Sequence, residues 1–371
     1  MKILVINLGS STLKYQLFSS DEKLCLLFGQ TLKHSGSLSE TFSQIFTGLQ
    51  DRGHIKSIDD IDIYGHRVVH GGEDFKDATF IDEDVIAKIE KLCSLAPLHN
   101  PANLEGIKKA MQISGNKPQV AVFDTAFHQS IPQQNYLYPI PKEHYYLNKI
   151  RRYGFHGSSH EYVAKKAAKQ LQKPLNSCNL ITVHLGNGAS ICAIKEGKSY
   201  DTTMGFTPLE GLMMGTRSGD IDSSIIFELY KKGKSIPQIE KMLNLHSGLF
   251  AIAKQSDFEI LQQRYEAGDS DAVLAIDMFT HRIKKYIGAY KEILQNVDGI
   301  VFTGGIGENS ALVRQKSTNG VDSAKNSDPQ STSIEKDGYG TKIFVIATDE
   351  QMLIAQKCVK ITQNGGAKTV L

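Results

Sequence analysis

Four short polar stretches carry side chains that are capable of chemistry, and most of them follow an apolar segment typical of a β-strand. In chain order they are Asn7 with Ser10, Thr12 and Lys14; Gly65–Gly72, which holds Arg67; Asp124 with the more distant His156; and Thr216–Asp222, which holds Arg217. Catalytic residues often lie at strand ends and in loops, because a rigid scaffold positions them there. These stretches are therefore the candidate active-site residues.

Phosphoryl transfer is the chemistry that best explains these residue types. A phosphoryl group in transfer spreads negative charge over its equatorial oxygens, so a protein must supply positive charge and fixed hydrogen-bond donors. Arg67 and Arg217 suit this task, because a guanidinium group is planar and always charged. His156 or His184 can supply a further donor.

A magnesium ion usually accompanies such a transfer and is held by one or two carboxylates. Asp124 and Glu350 each come just after an apolar, strand-like segment, which makes them the candidate carboxylates.

Glycine-rich turns after apolar segments occur at corresponding places in the two halves of the chain. Leu4–Leu13 and Leu180–Ser190 both read as a strand, then Leu-Gly with small polar residues, then a second strand. Such a turn lets backbone N–H groups approach a phosphate closely. Two copies predict a duplicated domain with a phosphate held between the halves. A third glycine-rich turn is expected at Thr303–Asn309.

The elements that must position these residues alternate between strands and helices. Strands are expected at 3–7, 13–18, 24–28, 61–69, 119–123, 180–185, 191–194, 299–302 and 342–347, and helices at 39–49, 84–95, 100–113, 159–171, 223–231, 236–244, 257–267, 271–295 and 349–360. This alternation predicts mixed sheets with helices packed on them. The length of 371 residues favours two domains. Residues 315–341 read as a flexible surface loop.

Composition argues against several classes of function. A net charge of +2 gives no electrostatic case for nucleic acid or a membrane surface. No apolar run reaches the ~20 residues of a membrane helix, and the start turns polar too early for a signal peptide. Five scattered cysteines without metal-ligand spacing indicate reduced thiols, no zinc and a cytoplasmic location.

Each candidate also has a purely structural interpretation. Asp124 would then cap a helix or a turn, and Arg67 would form a structural ion pair. His66 and His70, which flank Arg67, are interpreted as hydrogen-bonding scaffold, and Thr216–Asp222 as a capping loop. The phosphate-type turns favour the functional interpretation of the set as a whole.

Eight motifs together resemble the acetokinase family, within the superfamily of actin, Hsp70 and sugar kinases. They are NLGSSTLK (7–14), GHRVVHGG (65–72), APLHNP (96–101), FDTAFH (123–128), RRYGFHGSSH (151–160), HLGNGAS (184–190), MGFTPLEGLMMGTRSGDID (204–222) and GGIGEN (304–309). The resemblance covers nearly the whole chain. It implies an α/β fold of two duplicated actin-like (ribonuclease H-like) domains with an active-site cleft between them.

The resemblance implies reversible transfer of the ATP γ-phosphoryl group to acetate, with Mg²⁺ or Mn²⁺, in a homodimer. Asp124, Arg67, Arg217 and His156 would be catalytic, and His156 with Arg217 would stabilise the transition state. Asn7 and Glu350 would hold the metal. Nucleotide would be bound by Ser10, Thr12, Lys14, His184, Gly186, Asn187, Gly188, Asp257, Phe258, Gly304, Gly305, Ile306, Gly307, Glu308 and Asn309. No general base is needed, since a carboxylate is already ionised near pH 7.

The resemblance also implies the acyl pocket and the domain bounds. The substrate would be held by Arg67, Val69, Leu98, Phe155 and Pro208, leaving room for a methyl and for an ethyl at some cost. The first domain would comprise residues 1–127 plus 352–371, and the second residues 128–351.

Two departures from the family pattern leave rival functions open. Glu259 stands where the family usually has a basic residue, and residues 315–341 replace what is normally helix and strand. The rivals are a kinase for propionate or another short fatty acid, a diverged paralogue that binds nucleotide poorly, and a non-catalytic actin-like ATP-binding protein.

Overall fold

In the computed structural model the chain divides into two compact units. The first comprises Met1–Gln129 and Asp349–Leu371, and the second comprises Ser130–Thr348. The structure describes residues 1–9, 12–21, 23–33, 37–97, 99–318, 335–336 and 341–364. Two predicted site residues, Ser10 and Leu98, lie outside these ranges.

The first unit is a six-stranded sheet with helices on both faces. Its strands are β1 (Lys2–Leu8), β2 (Thr12–Ser19), β3 (Cys25–Lys33), β4 (Ile63–Val68), β5 (Thr79–Phe80) and β6 (Gln119–Phe123), and its helices are α1 (Leu38–Asp51), α2 (Glu83–Leu92), α3 (Asn100–Ser114) and, from the end of the chain, α14 (Glu350–Asn364). The sheet order is β3-β2-β1-β4-β6-β5. β1 runs antiparallel to β2 and parallel to β4, and β4 runs parallel to β6.

Strand β1 shows why this sheet has two covered faces. Successive side chains of a strand point to opposite faces. Ile3 and Val5 pack in one cluster with Ile354 of α14, whereas Leu4 and Ile6 pack in another with side chains of α1. The nearly continuous apolar sequence of this strand is therefore the pattern expected for a strand that is buried on both sides.

The second unit repeats this sheet. Its strands are β7 (Leu180–Leu185), β8 (Ala189–Lys195), β9 (Lys198–Thr202), β10 (Gly299–Thr303), β11 (Glu335–Lys336) and β12 (Lys342–Val345). Their order is β11-β12-β10-β7-β8-β9. As in the first unit, the first three strands form an antiparallel meander, and two parallel strands follow on the other side of the first. The predicted duplication is thus visible in strand order and direction.

Ten helices of the second unit connect and cover its strands. They are α4 (Gln133–Tyr136), α5 (Glu143–Asn148), α6 (Gly157–Gln170), α7 (Ser224–Lys231), α8 (Ile236–Leu245), α9 (Gly248–Ala253), α10 (Phe258–Glu266), α11 (Ser270–Leu294), α12 (Gly304–Asn309) and α13 (Ala311–Ser317). Helix α6 packs on β7 and β10, and α11 packs on β7 and β8. Between β9 and α7 the chain has no helix or strand over residues 203–223.

Two local predictions were wrong. Thr303–Asn309 is not a turn, because Gly304–Asn309 forms helix α12. The segment 315–341 is not a loop throughout: Gln315–Ser317 complete α13, and Glu335–Lys336 pair with β12. The remainder of that prediction, residues 319–334 and 337–340, lies outside the described residues. No helix among the described residues is both long and apolar enough to cross a membrane.

Candidate active site

Parallel strands bring Arg67 and Asp124 together in the first unit. Arg67 lies near the end of β4, and Asp124 directly follows the neighbouring β6, with its N–H donating to Val68 O at 3.0 Å. Arg67 Nε lies 3.1 Å from both Asp124 carboxylate oxygens, and Nη2 lies 2.6 Å from Oδ2. Glu350, at the start of α14, places Oε2 3.6 Å from Arg67 Nε. Arg67 therefore does form a structural ion pair, as one interpretation of the sequence had it, and it does so within the candidate site.

The two carboxylates determine the electrostatics of Arg67. Burial opposes the guanidinium charge, but Asp124 and Glu350 outweigh burial and raise the pKa of Arg67. Asp124 is only 2% exposed. A buried ion pair of this kind loses several kcal/mol of hydration, so neither partner is stable there alone.

Two buried asparagines hold the loop that follows Arg67, and they were not predicted. Asn103 Oδ1 accepts from Val69 N at 3.1 Å, and its Nδ2 donates to Leu8 O at 2.7 Å. Asn100 makes a reciprocal pair with the backbone of His70, at 3.0 and 2.9 Å. These amides tie the predicted substrate residue Val69 to the end of β1. The N-P-x-N pattern of residues 100–103 was the available signal.

The first glycine turn brings Asn7 and Lys14 opposite each other on β1 and β2. Gly9 N donates to Thr12 O at 2.8 Å, which closes the turn. Thr12 and Lys14 are exposed, and Asn7 is half-buried. The oxygens of Asn7, Asp124 and Glu350 are the hard donors that Mg²⁺ prefers. Among the described residues no three His, Cys, Asp or Glu side chains form a ready-made metal cluster.

In the second unit hydrogen bonds and ring stacking together join three histidines in one network. Ser190 Oγ lies 2.9 Å from both His156 Nδ1 and His160 Nε2. Ser159 Oγ lies 2.8 Å from His184 Nδ1, and the rings of His156 and His184 stack at 4.3 Å. The Ser190 hydroxyl has one proton, so at most one of the two histidine nitrogens, His156 Nδ1 or His160 Nε2, can accept from it. The network therefore fixes the ring of His156, and sequence reasoning missed its Ser159, His160 and Ser190.

Arg217 and His156 face the same spot, the backbone of Gly188. A Cβ atom built at Gly188 would lie 3.4 Å from Arg217 Nη1 and 3.5 Å from His156 Nε2. Arg217 Nη1 donates only weakly, to Pro208 O at 3.4 Å and Met214 Sδ at 3.8 Å. Among the described residues Arg217 has no carboxylate partner, and burial lowers its pKa. A half-buried cation with no protein anion beside it is suited to binding an anionic ligand.

A cavity of about 680 Å³ opens beside the second glycine turn. Its walls are Gly186, Asn187, Ser256, Asp257, Phe258, Glu259, Gln262, Gln263, Glu266, Gly305, Ile306, Asn309 and Ser310. Seven predicted nucleotide residues are among them, on the turn and on α10 and α12. His184, Gly188, Gly304, Gly307 and Glu308 do not line it.

Glu308 has a structural role instead. Its Oε1 accepts from Gly304 N at 2.8 Å and from Thr348 N at 3.2 Å. It thus satisfies an N–H at the first turn of α12, where helical N–H groups have no partner within the helix. Gly304 itself has φ +78° and no room for a Cβ beside Leu185 O.

The acyl residues divide between the units. Phe155 is buried at 2%, and Pro208 is half-buried, both in the second unit; half-buried Val69 is in the first. Leu98 lies outside the described residues, so its predicted role stays a prediction.

Comparison with known proteins decides the family. The family model described as "Acetokinase family" matches residues 28–356. The chain belongs to the acetokinase family. It is 45% identical to the acetate kinase of Acetivibrio thermocellus, over 98% of this chain and 100% of that protein. It is equally 45% identical to the acetate kinase of Sulfurimonas denitrificans, over 96% of this chain and 98% of that protein.

Solved structures agree. The crystal structure of a propionate kinase from Francisella tularensis matches with a TM-score of 0.88 and 40% identity, covering 96% of this chain and 98% of that one. Porphyromonas gingivalis acetate kinase matches with a TM-score of 0.87 and 36% identity, covering 97% and 99%. The expected duplicated actin-like α/β fold is confirmed, and so is acetate kinase as the function, that is, a phosphotransferase with a carboxyl group as acceptor.

Proposed function

We propose that this kinase transfers the γ-phosphoryl group of ATP directly and in line to acetate, reversibly, giving acetyl phosphate and ADP. An acetate oxygen forms the new P–O bond while the bond from the γ-phosphorus to the β,γ-bridging oxygen breaks. The bond pair leaves with ADP, and no proton moves. The observation that carries this proposal is Arg217, a half-buried guanidinium that shares the space at Gly188 with His156 Nε2.

Arg217 and His156 would stabilise the transferring phosphoryl group. Positive charge and fixed donors are the main requirement of such a transition state. The histidine network holds His156 Nδ1 against Ser190, and Nε2 lies on the side of Gly188, where the ligand would bind. His184, stacked on His156, would contact phosphate through its Nε2 side.

Arg67 would orient the acetate carboxylate, and Asp124 would hold Arg67. The Nε and Nη2 atoms of Arg67 donate to the Asp124 carboxylate, whereas its Nη1 makes no hydrogen bond within the described part of the chain. That Nη1 is the atom available to a substrate carboxylate. Asp124 thus serves positioning and metal binding rather than proton removal, because acetate needs no base.

Asn7 and Glu350 would hold Mg²⁺, or Mn²⁺ in its place, with Asp124 close by. The ion would neutralise charge on the β- and γ-phosphates of ATP. Ser10, Thr12 and Lys14 would bind phosphate oxygens together with the Gly186–Gly188 turn, and the 680 Å³ cavity would take the nucleoside.

Propionate is the second candidate substrate, because a relative at 40% identity is a propionate kinase. One extra methylene in an apolar pocket changes kcat/KM by only about 10- to 200-fold. Val69, Leu98, Phe155 and Pro208 would set that difference. We propose acetate as the better substrate, propionate as a slower one and butyrate as a poor one.

We also propose that the first domain comprises residues 1–127 plus 352–371 and the second residues 128–351. We further propose a cytoplasmic location, where ATP is present, and a homodimer. Exposed apolar side chains on α7 support the dimer: Ile225, Phe227 and Tyr230 are 43%, 63% and 60% exposed. Clustered exposed apolar side chains of this size often mark protein interfaces. A monomeric wild type in light scattering, or a Phe227→Asp variant that remains dimeric, would contradict α7 as the interface.

The deciding experiment measures acetyl phosphate, trapped with hydroxylamine, from acetate and Mg-ATP. Propionate, butyrate and GTP are run in parallel. Arg217→Ala should lose at least about 100-fold in kcat, whereas Arg52→Ala, an exposed arginine on the first unit, should leave kcat unchanged. Nucleotide binding without turnover of any acyl substrate would instead support the ATP-binding protein.

A further inference from the structure

The irregular segment 203–223 carries both Pro208 and Arg217, yet it has no helix or strand to fix it. Its start is held by contacts with the segment that precedes α6. Tyr153 N and Gly154 N both donate to Gly205 O, at 3.0 and 3.2 Å. The two chain segments that carry the acyl and phosphoryl residues of the second unit are therefore bonded side by side.

Arg152 is the main link between these segments. Its Nη1 donates to the carbonyl oxygens of Thr202, Thr203 and Met204, at 2.9, 3.2 and 3.2 Å. Its Nη2 lies 2.5 Å from Glu210 Oε1. The side chains of Arg152 and Glu210 are 17% and 31% exposed. A single guanidinium thus spans the segment from residue 202 to residue 210.

The second carboxylate oxygen of Glu210 is also occupied. The Tyr138 hydroxyl donates to Oε2 and accepts from Phe206 N at 2.8 Å. A Cβ at Gly205 would overlap the Glu210 carboxylate and the Tyr138 hydroxyl, so the Glu210 carboxylate is closely packed against the backbone of Gly205. Glu210 is consequently held in one position relative to Arg152.

Phe155 follows Arg152 by three residues, and Pro208 precedes Glu210 by two. We infer that the Arg152–Glu210 pair is a positioning pair that fixes the spacing of Phe155 and Pro208, and thereby the acyl length that the enzyme accepts. This inference rests on the proposed function, because it takes Phe155 and Pro208 as walls of the acyl pocket. Neither Arg152 nor Glu210 lines the nucleotide cavity.

Glu210→Gln tests the pair, because it removes the charge and keeps the shape. We expect the ratio of kcat/KM for propionate to that for acetate to rise about tenfold, since a loosened wall loses most of its discrimination against one methylene. The KM for ATP should stay within twofold. Glu228→Gln is the matched control, because it removes the partner of Lys232 in an exposed ion pair of the same unit. It should leave the ratio unchanged.

Tyr138→Phe is the milder variant if Glu210→Gln does not fold. It removes the hydrogen bond from the Tyr138 hydroxyl to the same carboxylate and the one that this hydroxyl accepts from Phe206 N, while the Arg152–Glu210 pair stays in place. The ratio is therefore expected to rise only about threefold. If the folded variants lose kcat/KM equally with acetate and with propionate, the pair has a merely structural role, and the inference is overturned. A wild type that binds ATP but phosphorylates neither acid would overturn the proposed function itself, which is a different outcome.

Discussion

The two arginines of the site differ in what surrounds them. Arg67 is paired with Asp124 and lies near Glu350, whereas Arg217 has only a carbonyl oxygen and a thioether within reach among the described residues. Both were expected to bind anions, and the sequence could not separate them. The structure does, because Arg67 is part of the fold's own charge balance and Arg217 is not.

The first prediction follows from this contrast. Arg67→Ala and Arg217→Ala should both abolish most turnover, but only Arg67→Ala should destabilise the fold. It leaves the Asp124 carboxylate buried without its partner, at a cost of about 3–5 kcal/mol. Urea unfolding of both variants measures this difference. The double variant Arg67→Ala/Asp124→Ala should recover much of the loss, and a double variant as unstable as Arg67→Ala would contradict the argument.

The second prediction concerns Glu259. The nucleotide cavity is lined by the carboxylates of Asp257, Glu259 and Glu266, and no Lys or Arg is among its lining residues. Reversing one of these charges should favour a polyanionic ligand, and more so at low salt, because ions screen such interactions. Glu259→Arg is expected to lower the KM for ATP severalfold at low ionic strength and less at high ionic strength.

Glu240→Arg is the control for Glu259→Arg. It makes the same charge change at an exposed position of α8, outside the cavity. If both variants lower the KM equally, net charge rather than the cavity is responsible. A GTP-to-ATP ratio that changes only in Glu259→Arg would add that this residue also contacts the base.

At the scale of elements, the three glycine-rich segments behave differently. Gly186–Gly188 is a turn between β7 and β8, closed by Gly186 N donating to Gly188 O at 2.9 Å. Gly304–Asn309 is a helix, although both segments follow a buried strand and share their composition. The difference lies in Glu308, whose side chain bonds back to Gly304 N, and in the contact of Gly304 with Leu185 O. The second of these contacts joins residues far apart in the chain, which a local pattern cannot reveal.

The same limit explains which site residues could be predicted. Arg67, Asp124, His156 and Arg217 were identifiable because their types suit the chemistry and their motifs are local. The side chains that hold them in place were not, because Asn103 reaches Leu8, Ser190 reaches His160 and Arg152 reaches Glu210 only after folding. Sequence reasoning thus proposed candidates for the reacting groups and missed the side chains that hold these candidates in place.

The third prediction tests the turn at Gly188. Its φ angle is not in the left-handed region, and the contacts of an added Cβ with Arg217 and His156 are ordinary van der Waals distances, 3.4–3.5 Å. Gly188→Ala should therefore fold normally. Its methyl group would occupy the space that both donors face, so kcat should fall about 100-fold, as on loss of one transition-state donor. Gly288→Ala, where a Cβ meets nothing within 4 Å, is the control and should keep full activity.

At the scale of the whole molecule, the duplication predicted from two turns extends to the complete sheets. Each sheet has an antiparallel meander and then two parallel strands, with a short antiparallel strand at the edge. Alternation of apolar segments predicted most of these strands. It gave no signal for the two-residue edge strands β5 and β11, because pairing rather than composition defines strands so short. The expected domain bounds at 127 and 352 stay a prediction beside the units observed.

Buried histidines should make the protein sensitive to acid, and this gives the fourth prediction. His66 and His70 are buried in the first unit, and burial lowers the pKa of each to about 4, from an ordinary value of 6.5. Above pH 6.5 both side chains are neutral in the folded and in the unfolded state, so they do not make the free energy of unfolding depend on pH. Between pH 6.5 and 4 the unfolded chain binds these protons first, so stability falls as the pH falls, by about 1.4 kcal/mol per pH unit for each histidine. The Nε2–H of His66 donates to Gln119 Oε1 at 2.8 Å; this bond alone would raise the pKa of His66, but burial outweighs it. In His66→Gln the loss of unfolding free energy between pH 7 and 4.5 should be smaller than in the wild type by about 2 kcal/mol, whatever its absolute stability.

Urea unfolding at several pH values measures this slope, with exposed His246→Gln as the control. Equal slopes in all three proteins would mean that His66 has the same pKa in the folded and the unfolded state, so that burial does not lower it.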